Sequence, residues 1–485
     1  MNQLLKNVIP KTGQQVTRLG FGSYRISKPN HAEALTAAIE GGINIIDTGN
    51  NFENGSSEIL IGNTLDSLIK KKKISRESIT LVTKSGYLGI NDVKSFENNQ
   101  DDYIQLSEKM FHSISPRVIE SQIQTSLKRL KTDKIDIFMI NSPERMLMAK
   151  NKRYTSSRLY KDLSESFRYL DSLVSQGIIS GYGVCSNTMA FPTAADHVSL
   201  SNIIQSCQNP SNLVAIQVPF NLYEREAIIA TTNDYKVKTV AEIAKENGIY
   251  VMTNRPLNAI ANGQVRVLVN HELGKETAEQ MIMSKMQTSF GRVAELESDI
   301  MSELPIEEEA LTSKFVWGQV LSENLARLAQ NHFATRHYLT NQVLPELEKD
   351  LKDLQNYAKY QLDGSSSDGL SAYEQWIEKY KTCVYDLTNS IVDYAYIDTL
   401  RKNNELDRIL NALCPSLNQL PEDGYAHSPL SIKLLRLLLS HHNHVGTVFT
   451  GMRDPLYVKD ALFAAQQRPI DQEDLDDIWQ CPIFN

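Results

Sequence analysis

The chain has 485 residues, of which 41% are hydrophobic and 22% are charged, so it can bury a large core and is typical of a globular protein. Its formal net charge of -8 and pI of about 5.8 argue against a broad surface for nucleic acid or anionic membrane, which would need an excess of basic residues. The five cysteines are far apart and form no CxxC pair, which argues against a disulfide framework or a zinc site.

No targeting or membrane segment is evident. The N-terminal stretch MNQLLKNVIPKTG has no apolar core of signal-peptide length, and no apolar run approaches the ~18 residues of a membrane span. The longest candidate, LSIKLLRLLLS at 430–440, is interrupted by Lys433 and Arg436 and is predicted to be an amphipathic helix. We therefore expect a cytoplasmic protein in a reducing compartment, with neither a nucleic-acid nor a membrane partner.

Short β-branched apolar runs alternate with longer helical patterns between residues 16 and 260, which is typical of βα units around a parallel sheet. A helix is predicted from Ser115, which can cap it, and Pro116 fits its first turn. Seven strands are predicted, at 16–24, 43–49, 79–86, 135–142, 181–186, 213–221 and 249–257.

Residues 264–428 show no strand-like alternation and are predicted to form an inserted helical subdomain. DGSSSDG at 363–369 indicates a turn between two of its helices. An apolar stripe at spacings of three and four fits internal packing better than a partner groove, because an insertion must first bury its own apolar face. The stripe consists of Leu344, Leu347, Leu351, Leu354 and Ala358.

An eighth unit is predicted at 429–470, where a helix leads to the strand VGTVFTG, and 471–485 is a C-terminal tail. With strands 1 to 7 in residues 1–263, the fold expected is α/β, a (β/α)8 TIM barrel with the helical subdomain inserted between strands 7 and 8. Three histidines in SHHNHV (440–445) precede strand 8 at the bottom of the barrel. We interpret them as solvent-exposed turn residues and expect no metal site.

Polar side chains stand where the strands of such a barrel should converge. Strand 2 ends in Asp47 and leads to Phe52, strand 3 ends in Lys84, and strand 4 ends in Asn141 and Ser142. An Asp and a Lys that point into one mouth should pair, because a buried charge without a partner is costly.

The remaining strand ends carry neutral donors and acceptors, which suit a planar carboxamide better than a phosphate. They are Ser186, Asn187, Gln217 and Asn254, followed by the cation Arg255. After strand 8, TGMRDP presents Gly451 and Arg453 ahead of a helix, a pattern that favours phosphate binding.

Taken together, these motifs resemble the aldo-keto reductase superfamily over residues ~15 to 260 and ~428 to 465, with the insertion unmatched. The resemblance implies NADP(H) bound in extended form without a Rossmann fold, and no GxGxxG is present. The motifs, in family order, are LGFGSYRI, GINIIDTGNNFENGSSEILIG, LVTKSG, SPRVIESQIQTSLKRLKTDKIDIFMINSPE, ISGYGVCSNT, VAIQVPFNL, NRPL and TGMRDPLYV.

The resemblance also implies a catalytic group of Asp, Tyr, Lys and His, which this chain only partly keeps. Asp47 and Lys84 match, whereas Phe52 stands at the position of the proton-donating Tyr and Asn141 at that of the His. Loss of a general acid typically costs about 10²- to 10⁴-fold in rate. Asn141 can still donate a hydrogen bond to a developing alkoxide, and either Lys84 or Tyr87 can substitute as the acid, unless no dedicated acid remains.

On the cofactor side, the resemblance implies that Ser186, Asn187 and Gln217 hold the nicotinamide carboxamide and that Arg453 meets the adenosine phosphate. Asn254 takes a place where many relatives have an aromatic side chain that stacks on the nicotinamide, and the lost stack could weaken binding by about 1 kcal/mol.

Three functions stay open. The first is an NADP(H)-dependent oxidoreductase with a modified, weakened site for a small carbonyl, hydroxyl or sugar-like substrate. The second is a catalytically inactive NADP(H)-binding barrel with a regulatory role, in which the insertion binds a protein partner or a second copy. The third is a hydrolase that pairs the carboxylates of Asp47 and Glu144. The insertion follows strand 7, so it can form either a lid over the mouth or a partner surface.

Overall fold

The computed structural model describes residues 3–96, 102–149, 154–229, 238–261, 263–270, 279–304, 306, 309–361, 367–418 and 429–484. The chain divides into two compact units. The first comprises Met1–Ala259 with Asn411–Asn485, and the second comprises Ile260–Leu410.

Eight parallel strands close the first unit into a barrel, and each strand pairs with its neighbours in chain order. The predicted (β/α)8 TIM barrel is therefore confirmed, and the chain of the second unit lies between the seventh and eighth strands. The strands are β1 (Leu19–Gly22), β2 (Ile45–Asp47), β3 (Thr80–Ser85), β4 (Ile135–Asn141), β5 (Ile179–Cys185), β6 (Leu213–Pro219), β7 (Tyr250–Asn254) and β8 (Thr447–Gly451).

The prediction of one strand at 16–24 is wrong, because two elements share this run. Gln15–Thr17 pairs antiparallel with Lys6–Val8, and only Leu19–Gly22 joins the barrel. The hairpin closes the N-terminal end of the barrel. Its Val16 side chain is fully buried in the barrel interior, in one cluster with Ile45.

The helices around the barrel have one buried face each, as in α4, where Val118, Ile119 and Ile123 are fully buried. The predicted cap of α4 is confirmed, since the Ser115 hydroxyl accepts a hydrogen bond from the Val118 amide at 3.4 Å. The helices are α1 (Pro29–Glu40), α2 (Ser56–Lys70), α3 (Ile90–Val93), α4 (Pro116–Leu130), α5 (Ser156–Ser175), α6 (Leu200–Ser206), α7 (Glu226–Ile229) and α8 (Val240–Glu246).

The second unit is helical and has its own apolar core. The predicted stripe lies in that core, with Leu347, Leu354 and Ala358 fully buried. The turn predicted at 363–369 falls mainly outside the described residues, as do residues 419–428 at the end of the proposed insertion. The helices are α9 (Glu279–Glu303), α10 (Glu309–Thr312), α11 (Trp317–Glu323), α12 (Leu325–Leu328), α13 (His332–Tyr338), α14 (Leu344–Gln361) and α15 (Ser367–Leu413).

Short strands and three C-terminal helices complete the structure. Tyr87–Gly89, Met110–His112 and Ile104–Ser107 form a three-stranded antiparallel sheet in the connection that follows β3. Further strands at Asn258–Ala261 and Gln264–Val267 follow β7 in the chain. The C-terminal helices are α16 (Leu430–Ser440), α17 (Pro455–Gln466) and α18 (Gln472–Gln480).

Two expectations near the C-terminus are wrong. The α16 helix is buried almost all round rather than amphipathic, because the ammonium of Lys433 turns to the Asn411 side chain, 2.7 Å away. His441, expected in solvent, is buried and accepts a hydrogen bond from the Trp479 indole. Burial lowers the pKa of His441 to about 3.

Across the described ranges, no helix combines the length and apolar character needed to cross a lipid bilayer. Within the same ranges, no three His, Cys, Asp or Glu side chains lie close enough together to hold a metal ion.

Candidate active site

Four strand ends bring polar side chains into one hydrogen-bonded group. The Lys84 ammonium contacts the Asp47 carboxylate and donates to the Thr48 carbonyl at 2.9 Å. The Gln217 amide donates to the same Asp47 oxygen at 2.8 Å, and the Asn254 amide donates to the Gln217 oxygen at 3.1 Å. The structure therefore joins a charged pair to two carboxamides, all carried by the ends of β2, β3, β6 and β7.

Burial explains why the Asp47–Lys84 pair forms. Lys84 is 2% exposed and Asp47 is 6% exposed, so each charge needs the other in place of water. Burial raises the pKa of Asp47, while the Lys84 ammonium and the hydrogen bonds from Lys84 and Gln217 oppose that rise. The expected pairing of these two side chains is thus present in the structure.

The Phe52 ring lies against this pair. The Lys84 nitrogen is 5.1 Å from the ring centre, a distance at which a cation is attracted to an aromatic face. The edge of the Tyr24 ring meets Phe52 at 5.1 Å between centroids. Phe52 is only 9% exposed and begins a short 3-10 helix, Phe52–Gly55. A ring of this kind holds the cation in place but carries no proton to transfer.

Asn141 ends β4 and lies beside Cys185 of β5 in the strand register. Its side-chain oxygen accepts a hydrogen bond from the Ser142 hydroxyl at 3.3 Å, and its carbonyl accepts one from the His112 ring at 2.8 Å. Burial lowers the pKa of His112 to about 4, so this imidazole is neutral at neutral pH. The buried histidine therefore fixes the backbone at Asn141.

Glu144 organises two of the residues expected to hold a carboxamide. One of its oxygens accepts hydrogen bonds from the Asn187 amide nitrogen at 2.9 Å and the Asn187 side chain at 3.2 Å. Burial raises the pKa of the Glu144 carboxyl group, and the nearby Ser186 hydroxyl opposes that rise. Asp47 and Glu144 thus have separate partners, an arrangement that gives no support to a paired-carboxylate hydrolase.

Arg255 is engaged by an acid that lies 31 residues earlier in the chain. Its guanidinium is 2.6 Å from the Glu224 carboxylate, and the second Glu224 oxygen accepts from the Asn221 amide at 2.8 Å. The Arg255 Nε has no hydrogen-bond partner among the described residues and is buried. This cation is therefore fixed beside β7 with one donor still available.

Gly451 and Arg453 lie apart from the buried group, in the exposed turn between β8 and α17. A Cβ added at Gly451 would meet nothing within 4 Å, so the backbone there is open to approach. Burial lowers the pKa of His31, and the nearby charge of Arg453 lowers it further. An exposed cation just ahead of a helix suits a phosphate group.

The buried group also fits the amide of a nicotinamide. The Asn254 Oδ1 is buried and has no hydrogen-bond partner within the described ranges. A free acceptor at the strand ends is the group that a carboxamide N–H requires. From the sequence, Asn254 is expected to replace an aromatic side chain that stacks on the nicotinamide. Its side-chain oxygen is instead free to accept a hydrogen bond from a carboxamide.

The sequence gives no clear signal for three other site residues. The Cys185 thiol donates to the Gln217 oxygen at 3.2 Å, and burial raises its pKa to about 12. The only sequence feature that indicates a site role for Cys185 is its position directly before Ser186 at the end of a predicted strand. His112 and Glu224 carry no local motif, because their partners Asn141 and Arg255 are distant in the chain.

Left-handed backbone conformations occur at the same strand ends. Ser142 after β4 has φ of 53°, and Arg255 after β7 has φ of 57°. After β2, Glu53 and Asn54 have φ of 48° and 53°. None of the four is glycine, so each turn holds a conformation that L-residues disfavour.

Comparisons with known proteins point to one family. Residues 17–337 match the family described as the Aldo/keto reductase family. The uncharacterized oxidoreductase YqkF of Bacillus subtilis (strain 168) is 25% identical over 242 residues, 50% of this chain and 63% of that protein. The NADH-specific methylglyoxal reductase of Escherichia coli (strain K12) is 26% identical over 252 residues, 50% of this chain and 64% of that protein. The chain thus spans somewhat less than two thirds of the length of these relatives.

Among solved structures, the glycerol dehydrogenase AKR11B4 from Gluconobacter oxydans is 16% identical, with a TM-score of 0.49 over 98% of this chain and 94% of that chain. The assignment does not depend on this likeness, since the family match alone covers well over half of the 485 residues. The chain therefore belongs to the aldo/keto reductase family.

Proposed function

We propose that this protein is an NADP(H)-dependent oxidoreductase that interconverts a small carbonyl compound, including sugar-like carbonyls, and the corresponding alcohol at a modified site. The observation that carries the proposal is the buried contact between Asp47 and Lys84, with the Gln217 and Asn254 amides hydrogen-bonded around it. A charged pair beside open carboxamide acceptors suits the meeting point of a substrate oxygen and a nicotinamide.

The cofactor would be held by two sets of residues. Ser186, Asn187, Gln217 and Asn254 would bind the carboxamide, and Gly451 with Arg453 would bind a phosphate. When bound, NADP(H) supplies or accepts the hydride. Support for the phosphate form of the cofactor comes from the exposed charge of Arg453, although the related methylglyoxal reductase is NADH-specific by name. The preference therefore needs a direct measurement.

Lys84 is the best placed proton donor for the substrate oxygen. An ammonium group has three N–H donors, and two of them are used by Asp47 and Thr48. The third remains for the side that faces Phe52, where the phenol oxygen of a catalytic tyrosine would otherwise lie. A substrate oxygen that reaches this side would meet the cation directly.

Tyr87 is the weaker candidate for the acid. Its hydroxyl accepts a hydrogen bond from the Arg145 guanidinium at 3.2 Å, and its ring meets the edge of His112 at 5.0 Å. These contacts place Tyr87 in the group next to Asn141 rather than in the group around Lys84. Asn141 itself can donate from its amide to a developing alkoxide, and loss of a donor of this kind costs about 10²- to 10³-fold.

The first test is a titration of the protein with NADPH and, separately, NADH, followed by calorimetry. We expect micromolar binding of NADPH that weakens in Arg453→Ala and stays unchanged in Arg168→Ala, which removes an exposed arginine on α5. NADH binding should change little in either variant. If neither nucleotide binds, the proposed cofactor site is wrong.

Turnover is then measured as NADPH oxidation across a panel of small aldehydes, ketones and sugars. Slow oxidation with some member of the panel is expected. A completely inactive wild type, with no gain when Phe52→Tyr and Asn141→His are combined, would contradict the oxidoreductase proposal.

The packing of Phe52 against Lys84 favours a second candidate, a catalytically inactive barrel that keeps NADP(H) as a structural or sensing ligand. In this reading the helical insertion serves a regulatory role through a protein partner or self-association. It predicts nucleotide binding without turnover in the two experiments above. Steady turnover at ordinary enzyme rates would exclude it.

A further inference from the structure

A recess with three arginines lies at the N-terminal end of the barrel, opposite the strand ends of the candidate active site. It is formed by the start of β1 and the C-terminal ends of α16 and α17, and it measures about 330 Å³ including its open side. Arg18, Arg436 and Arg468 line it together with Ser440, Gln467 and apolar side chains, and no Asp or Glu is part of the lining.

Arg18 is the buried cation of the recess. Its side chain is 8% exposed, and its Nε has no hydrogen-bond partner among the described residues. Burial also lowers the pKa of this guanidinium, and no carboxylate lines the recess beside it. A buried charge without a counter-charge is unfavourable, so the site gains free energy when an anion enters.

Arg436 is held in position by neutral partners. Its Nε donates to the Arg468 carbonyl at 3.0 Å, and its Nη1 donates to the Ser416 carbonyl at 2.7 Å. Asp471 is the acid whose charge acts on Arg436, but it does not line the recess. The two carbonyls orient the guanidinium and leave its positive charge in place.

The negative C-terminal ends of α16 and α17 offset only part of the positive charge of the three arginines. A helix C-terminus carries roughly half a negative charge, so the two ends offset about one of the three arginine charges. The surplus of positive charge therefore remains after the helix dipoles are counted.

We propose that this recess binds a small oxyanion, such as phosphate or a carboxylate, at a site separate from the active site. The enclosed part has room for about one water-sized group. A single oxygen of the anion would reach Arg18, while its other oxygens would stay at the open side with Arg436 and the exposed Arg468. Such forked contacts between guanidinium and oxyanion are short and strong.

The proposal is tested by titrating the full-length protein with inorganic phosphate at constant ionic strength, with the melting temperature and the heat of binding as readouts. Saturable binding is expected, and loss of one charged hydrogen-bond donor in Arg18→Gln should weaken it by about 10- to 100-fold. The exposed-rim variant Arg468→Gln should weaken it less. Arg408→Gln, which removes a side chain that is 80% exposed, should leave it unchanged.

Arg453→Ala separates this recess from the proposed cofactor-phosphate site, and phosphate binding at the recess should persist in that variant. Equal stabilisation by chloride at the same ionic strength, or equal affinity in the wild type and Arg18→Gln, would overturn the proposal. If Arg18→Gln does not fold, unchanged affinity in Arg468→Gln overturns it instead. Acetate in place of phosphate then shows whether a carboxylate suffices.

Discussion

The ammonium of Lys84 lies 5.1 Å from the centre of the Phe52 ring. An aromatic face thus lies beside the cation, whose hydrogen bonds go to Asp47 and the Thr48 carbonyl. The ring replaces a hydrogen bond by a cation–π contact, which is worth about 2 kcal/mol when desolvated. The Asp47–Lys84 pair can therefore persist without a phenol at position 52.

Replacement of Phe52 by tyrosine should restore a general acid beside Lys84. We expect Phe52→Tyr to raise kcat by about 10²-fold or more, since a positioned acid contributes about 10²- to 10⁴-fold. Steady-state oxidation of NADPH measures the gain. Phe52→Leu is the matched control, because it changes the packing without adding a hydroxyl. A similar gain in both variants would show that the hydroxyl is not responsible.

Removal of the Asp47 charge should destabilise the barrel, since Lys84 would be left buried and unpaired. Breaking a buried pair in this way costs about 3 to 5 kcal/mol. The control Asp66→Asn removes exposed contacts with Lys70 and Lys131 and should lower stability far less, because water screens exposed ion pairs. Asp47→Asn is compared with it in urea-induced unfolding.

The chain has three tryptophans, so the optical signal can be assigned to the barrel unit. In a background with Trp317→Phe and Trp376→Phe, only Trp479 of the first unit reports unfolding. Equal unfolding midpoints for the two Asp variants in this background would contradict a stabilising role for the Asp47–Lys84 contact.

His112 should make stability depend on pH. Burial lowers its pKa to about 4, against 6.5 when unfolded, so between these values the unfolded chain binds the extra proton. Stability is therefore lost as the pH falls from 6.5 to 4, by about 3 kcal/mol from this residue. In His112→Gln, the number of protons taken up on unfolding between pH 4 and 6.5, given by the slope of the unfolding free energy against pH, should fall by about one. An unchanged slope in His112→Gln would contradict this prediction.

Two helical glycines should respond oppositely to alanine. A Cβ at Gly62 on α2 would collide with the backbone of Arg129 and Leu130, whereas a Cβ at Gly291 on α9 meets nothing within 4 Å. Gly62→Ala should cost about 1 to 3 kcal/mol through overpacking. Gly291→Ala should gain up to about 1 kcal/mol from helix propensity. Urea unfolding of each variant measures both, and a stabilised Gly62→Ala would contradict the close approach of α2 and α4.

The βα periodicity predicts the barrel and the approximate place of its strands, because each strand is a local apolar run. The prediction fails at residues 16–24. The residues before Arg18 pair with the N-terminal strand Lys6–Val8, whereas the residues after it join the barrel. The Asp47–Lys84 contact follows from charge and strand position. In contrast, the contact of His112 with Asn141 depends on a small antiparallel sheet that has no periodic signal.

The left-handed turns at Ser142, Arg255 and Glu53–Asn54 have a consequence for the stiffness of this surface. A left-handed conformation costs a non-glycine residue roughly 1 to 2 kcal/mol, and glycine would remove most of that cost. Three strand-end turns of the barrel nevertheless have residues other than glycine at these positions. These turns therefore hold the strand ends more stiffly than glycine would, and substitution to glycine there should trade precise placement for a higher melting temperature.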